Sequence, residues 1–237
     1  MQFIGFYDYT VILTYLSLVS AVLGMTFAHK GLFSAAMWCL FFSGFCDAFD
    51  GKVARTKKNR SQMEKSFGVQ IDSLSDLVAF GVLPACIGMA LIRTSPFLDQ
   101  MFAADQEAVA LRYLGVALFA ILVLYILAAL IRLAYFNVTE EERQRTESGT
   151  RKTYTGLPVT SAALIFPVVL LLHYVLPMDI SILYFPVTLV TGFLFLCKFQ
   201  IPKLHLRGIL ILVGIGVAIA LLMLFFLLKA DGSWQLN

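Results

Sequence analysis

Seven stretches of this chain, near residues 8–28, 31–50, 67–92, 110–138, 156–176, 180–198 and 207–229, are each apolar over close to the length an α-helix needs to cross a bilayer. A hydrocarbon core takes about 20 mostly apolar residues per helix. Composition agrees, since 59% of the 237 residues are hydrophobic and only 14% are charged, against about 25% in an ordinary soluble domain. A water-soluble enzyme, a disordered chain and a secreted disulfide scaffold are all excluded. The four cysteines, Cys39, Cys46, Cys86 and Cys197, form no CxxC or Cys/His group and read as small buried hydrophobes. A net charge of +3 is too small to suggest nucleic acid as a partner. The expectation is an all-α, polytopic membrane bundle of about seven transmembrane helices, with six to eight allowed by the uncertainty of the ends. It forms one domain over residues 1–237, with no internal repeat.

No Lys or Arg precedes the first apolar run, so it is read as a retained helix and not as a cleavable signal peptide. With seven spans, the loops near 51–66, 139–155 and 198–207 share one side and hold thirteen Lys and Arg, against Lys30, Arg93, Arg112 and Lys229 on the other. Basic loops stay on the cytoplasmic side. The N-terminus and those three loops are therefore expected in the cytoplasm, and the tail from Ala230 to Asn237 outside.

Four carboxylates break the apolar pattern. Asp47 and Asp50 lie at the cytoplasmic end of the second span, and Asp72 and Asp76 one to two turns inside the third. Carboxylates at membrane depth are costly and by default functional. Asp47, Asp50 and Ala54 fall at i, i+3 and i+7, and Gly68, Asp72 and Asp76 at i, i+4 and i+8, so each set occupies one helix face. If the faces meet, the negative charges need a counter-charge, which two divalent cations would supply. All-oxygen ligation suits Mg²⁺ or Mn²⁺. His29, His173 and His205 are scattered away from the acids and are not expected to ligate metal. A divalent-cation transporter is the rival from another class, but its acids would sit nearer the midplane and its chain often shows repeats.

The pattern Asp47-x-x-Asp50-Gly51-x-x-Ala54-Arg55 followed by Gly68-x-x-x-Asp72-x-x-x-Asp76 resembles the defining motif of the CDP-alcohol phosphotransferase family, integral membrane enzymes of phospholipid synthesis. The family usually has eight residues between the Arg and the second Gly, and here Thr56 to Phe67 makes twelve. An insertion in that connection is expected to leave both helix faces intact while changing how Arg55 and the loop lie over a nucleotide. The resemblance implies that Asp47, Asp50, Asp72 and Asp76 hold the metals, that Asp76 also acts as the base, and that Gly51, Ala54, Arg55 and Gly68 form the nucleotide floor.

Ser66-Phe67-Gly68, Asp72-Ser73-Leu74-Ser75-Asp76, Phe80-Gly81-x-x-Pro84-Ala85, Arg132-Leu133-Ala134-x-Phe136-Asn137 and Gly156-Leu157-Pro158 look like the branch that transfers a phosphatidyl group from CDP-diacylglycerol to L-serine. Ala79 and Tyr135 depart from it, where the branch often has Ser and Arg. That likeness makes CDP-diacylglycerol and L-serine the expected substrates, with glycerol 3-phosphate, inositol phosphate or choline as alternative acceptors. Arg132, with Asn137 nearby, is the candidate for holding the acceptor. Arg132 is also readable as a cation that snorkels to lipid headgroups. The expected location is a bacterial cytoplasmic membrane. Oligomeric state stays open, a homodimer included.

Overall fold

The computed structural model describes residues 4–99, 109–146, 153–175, 179–202 and 206–229. Helices α1 (Ile12–His29) and α2 (Phe33–Ala54) form an antiparallel hairpin that turns at Gly31, where φ is +74°. Their interface is made of small and hydroxylated residues, with Ser17, Ser20, Gly24 and Ala28 buried along α1. Ser43 Oγ donates to the Ser17 carbonyl at 3.0 Å and Ser20 Oγ to the Cys39 carbonyl at 2.9 Å. Small residues let backbones approach and hydroxyls then bond across, a packing mode suited to lipid, where apolar contact alone gives no preference for another helix.

The second long rod is α3 (Gln62–Asp76), a six-residue π-turn (Leu77–Val82) and α4 (Leu83–Thr94) in direct succession. Pro84, in the first turn of α4, has no N–H to give the preceding turn. Tyr125 Oη donates instead to the Phe80 carbonyl at 2.6 Å, and Tyr184 Oη to the Pro84 carbonyl at 2.6 Å. Tyr125 thus supplies the donor that the proline withholds from Phe80, and Tyr184 adds a second buried bond at the start of α4. Both rings meet Phe166, Tyr125 edge-on at a centroid distance of 5.8 Å and Tyr184 tilted at 5.0 Å.

Helix α5 (Val109–Thr146) has 38 residues and at 1.5 Å per residue is about 57 Å long. It outruns the expected span, and its last turns carry the ion pairs Glu140–Arg143 and Glu141–Arg145. After it come α6 (Ala162–Val175), α7 (Ile180–Leu196) and α8 (Leu206–Lys229). Asp179 caps α7, accepting from Ser181 N at 2.8 Å, and its other oxygen accepts from Ser95 Oγ at 2.9 Å and Phe97 N at 3.2 Å. One carboxylate so ties the start of α7 to the end of α4. The main buried core runs through Ala21, Leu40, Leu83, Tyr125, Phe166, Tyr184 and Met223, one from each of seven helices, and a smaller cluster gathers Ala85, Leu98, Leu118, Leu122 and Phe185.

One expectation changes here, and another is met in part. The architecture is helical, but β1 (Thr153–Thr155) and β2 (Gln200–Pro202) form a short antiparallel ribbon, which three-residue strands in connections gave no periodicity to reveal. The helical segments match the seven apolar runs, yet only Tyr9–His29, Gln62–Thr94 and Tyr113–Arg143 are long and apolar enough to cross a membrane by length and composition among the described residues. Val159–Leu172, Ile180–Leu196 and Gly214–Phe225 are shorter apolar helices, and α2 ends in Asp47, Asp50 and Lys52. The tail 230–237 and most of the 176–179 connection lie outside the described residues.

Candidate active site

The acids meet where the end of α2 passes the last turns of α3. Carboxylate oxygens of Asp47, Asp50 and Asp72 all lie within 4.8 Å of one another. The Asp72 carboxyl lies close to that of Asp50, and the Asp76 carboxyl close to that of Asp47. Asp76 is 8% exposed and sits at the junction with the π-turn, one helical turn beyond Asp72. It belongs to the same group through Asp47, while the tight three-carboxylate set excludes it.

These acids suit a divalent cation on a structural ground. Asp72 Oδ1 is buried and has no hydrogen-bond partner among the described residues. An unpaired buried acceptor is expensive, and three carboxylates this close need positive charge between them. Hard oxygen donors of this kind match Mg²⁺ or Mn²⁺ better than a soft metal.

A cleft of about 200 Å³ opens beside the acids, and its lining includes Asp50, Gly51, Ala54, Arg55, Gly68 and Asp72. All four residues assigned to a nucleotide floor thus face one space with two of the acids. The short turn Tyr9–Val11 and the first turn of α1 close the cleft with Thr10, Val11 and Thr14. Thr14 Oγ1 donates to Asp50 Oδ2 at 3.4 Å and its carbonyl accepts from Ser75 Oγ at 3.1 Å, so one residue links α1 to both acid-bearing helices. Thr14 was absent from the sequence reading, although a threonine facing inward from an apolar run was the available signal.

The longer connection between Arg55 and Gly68 is used to start α3 early. Ser61 caps the helix, accepting from Glu64 N at 3.1 Å while Glu64 Oε2 accepts from Ser61 N at 2.6 Å. This reciprocal pair is a strong helix start. Four extra residues are close to one turn, and the Asp72 carboxylate still meets those of α2. Lys57 Nζ bridges Asp8 Oδ2 at 2.7 Å and Glu64 Oε1 at 2.8 Å, joining the entry to α1, the loop and the first turn of α3. Its bond, with those from Thr10, lowers the Asp8 pKa to about 2.

The two acceptor candidates sit differently. Asn137 Nδ2 donates to Ser73 Oγ at 2.8 Å, next in sequence to Asp72. Arg132 is buried and donates from Nε to the Leu157 carbonyl at 3.1 Å, with its guanidinium over the Phe136 ring. It steadies the turn at Gly156, where φ is +74° and an added Cβ would come within 2.7 Å of the Cys197 carbonyl oxygen. His29 lies at the opposite end of α1 from the acids; the side chains of His173 and His205 are outside the described residues.

The family model described as CDP-alcohol phosphatidyltransferase matches residues 9–197. The chain is 38% identical over 125 residues to a CDP-diacylglycerol–serine O-phosphatidyltransferase of Saccharomyces cerevisiae, covering 52% of this chain and 37% of that one. It is 29% identical over 156 residues to the protein of the same name from Helicobacter pylori strain J99, covering 66% and 54%. It is 31% identical over 152 residues to an archaetidylserine synthase of Methanothermobacter thermautotrophicus, covering 64% and 53%. The chain therefore spans about half the length, or less, of the curated relatives it matches.

Proposed function

We propose that this chain, which belongs to the CDP-alcohol phosphatidyltransferase family, transfers the phosphatidyl group of CDP-diacylglycerol to L-serine, forming phosphatidylserine and CMP. The observation that carries the reading is the cleft in which Gly51, Ala54, Arg55 and Gly68 meet Asp50 and Asp72, with Asp47 and Asp76 behind them. The choice of serine rests on relatives that bear that acceptor in their names.

Asp47, Asp50, Asp72 and Asp76 would hold two divalent ions, Mg²⁺ or Mn²⁺. When bound, such ions neutralise a pyrophosphate and stabilise a departing phosphate. The small residues of the floor admit the nucleotide, and Arg55 reaches its phosphates. The serine hydroxyl oxygen bonds to the phosphorus that carries diacylglycerol, the bond from that phosphorus to the CMP oxygen breaks, and CMP leaves with the electron pair. An Asp76 carboxylate oxygen takes the hydroxyl proton. Asn137, fixed beside Asp72 through Ser73, orients the amino acid, and Arg132 contributes positive charge near its carboxylate. The reading includes seven spans in one domain, in a bacterial cytoplasmic membrane, with the cleft at the cytoplasmic face, where a two-chain lipid enters from the bilayer and serine from the cytosol.

The test is purified full-length protein with CDP-diacylglycerol, a divalent ion and a panel of serine, glycerol 3-phosphate, inositol phosphate and choline, following CMP. Serine-dependent CMP release is expected. Release only with another acceptor would keep the reaction class and discard serine.

A further inference from the structure

The connection that is four residues longer than the family pattern carries an arginine that the motif does not include. Arg60 immediately precedes the cap of α3 and lines the same cleft as Arg55 and Lys65. Its guanidinium is held by two carbonyls, Ala54 O at 3.4 Å from Nη1 and Glu64 O at 3.1 Å from Nη2. It lies directly over Gly68, where a Cβ would come within 2.7 Å of Nη2. Arg60 Nε is buried with no partner, and the side chain forms no ion pair among the described residues. The neighbouring Lys57, by contrast, is engaged by two carboxylates.

A guanidinium anchored by neutral carbonyls keeps its whole charge for something else, and a buried N–H without an acceptor costs free energy that a ligand oxygen would recover. The surroundings specify the ligand. The cleft lining brings the acids Asp50 and Asp72 together with the cations Arg55, Arg60 and Lys65. A diphosphate would suit that lining, with the acids holding any divalent cation and the guanidinium groups taking phosphate oxygens. We propose that Arg60 is a further substrate-binding residue that takes a phosphate oxygen of the nucleoside diphosphate donor. Gly68 is then required for room, since any larger residue would displace the guanidinium from the cleft. The longer connection supplies this second arginine. The assignment to a donor rests on the transferase reading above, whereas anion binding by Arg60 does not.

The experiment compares full-length wild type, Arg60→Ala, Arg60→Gln and Arg60→Lys, in detergent with Mg²⁺ present. Gln keeps a polar side chain and the first part of the stem but carries no charge; Lys keeps the charge and loses the fork. Binding of CDP is measured by calorimetry, together with thermal midpoint and the separate KM values for CDP-diacylglycerol and serine. Loss of one charge-assisted bond should weaken CDP binding and raise the donor KM about tenfold or more in the Ala and Gln variants. The serine KM should change less than twofold, and Lys should recover part of the loss. Unchanged CDP affinity in Arg60→Gln would overturn the proposal. Tighter CDP binding in Arg60→Ala would also overturn it, because the side chain would then be a plug over Gly68. A uniform rise in both KM values that follows a lower thermal midpoint would reduce Arg60 to a loop anchor. Failure of the transferase reading is separate: the wild type would release no CMP with any acceptor, while the CDP titrations would still decide the role of Arg60.

Discussion

Asp76 differs from the other three acids in what it touches. Asp47, Asp50 and Asp72 share a space within 4.8 Å, whereas Asp76 contacts Asp47 and stands at the start of the π-turn. π-turns are rare and recur at functional sites. Replacing Asp47, Asp50 or Asp72 by Asn should abolish CMP release with helical content retained, because each removes a ligand from a shared set. Asp76→Asn should still bind CDP-diacylglycerol with Mn²⁺ but turn over about 10² to 10⁴ times more slowly, the usual cost of losing a general base. Transfer to serine near the wild-type rate would remove the base assignment. For Asn137→Ala, loss of one neutral hydrogen bond of about 1 kcal/mol should raise the serine KM about fivefold and leave the donor KM nearly unchanged. Equal changes in both would make Asn137 a brace for Ser73.

At the scale of elements, the rod from Gln62 to Thr94 depends on donors from other helices. Tyr125→Phe would leave the buried Phe80 carbonyl without its 2.6 Å donor, at a cost of about 1–3 kcal/mol. A reduced thermal midpoint with a preserved far-ultraviolet spectrum is expected; an unchanged midpoint would show that the π-turn needs no outside donor. Asp179 offers a pH test outside the spans. Burial pushes its carboxyl up, but bonds from Ser181, Ser95 and Phe97 outweigh this and hold it below its ordinary value. A lowered folded pKa stabilises above the unfolded value, about 3.9, and that stability is lost as pH falls through the folded one. Asp179→Ala should cost about 1–2 kcal/mol at neutral pH, and its midpoint should converge with wild type as pH drops below about 4. A gap that persisted in acid would assign the loss to packing.

For the whole molecule, a cation held between α2 and α3 joins two helices that the unfolded chain leaves apart, so it should act on stability as well as on turnover. Binding to the folded state alone adds about 2.7 kcal/mol at 100 times the dissociation constant. EDTA should lower the thermal midpoint and stop CMP release, and Mn²⁺ or Mg²⁺ should restore both. In Asp72→Asn the midpoint should no longer respond to metal. A wild type whose midpoint ignores EDTA would exclude these acids as a metal site.

Much of this protein is determined locally. Apolar runs separated by charged connections locate the helices, because a segment's own hydropathy decides whether it prefers lipid, although α5 continues to Thr146, beyond its apolar run. The i, i+3 and i, i+4 spacings put the acids on faces, because helical geometry is independent of what packs outside it. The extra turn before Gly68 could also be read as harmless to those faces. What the chain could not reveal is everything that depends on distant residues meeting. Thr14 reaches Asp50 across 36 positions, Tyr125 completes the Phe80 carbonyl across 45, and the ribbon joins residues 153–155 to 200–202. Arg60 looked like one more charge in a basic loop. Only the turn from the end of α2 into α3 lays it over Gly68, since the side chain's place follows from the Ala54 and Glu64 carbonyls that this turn leaves within its reach.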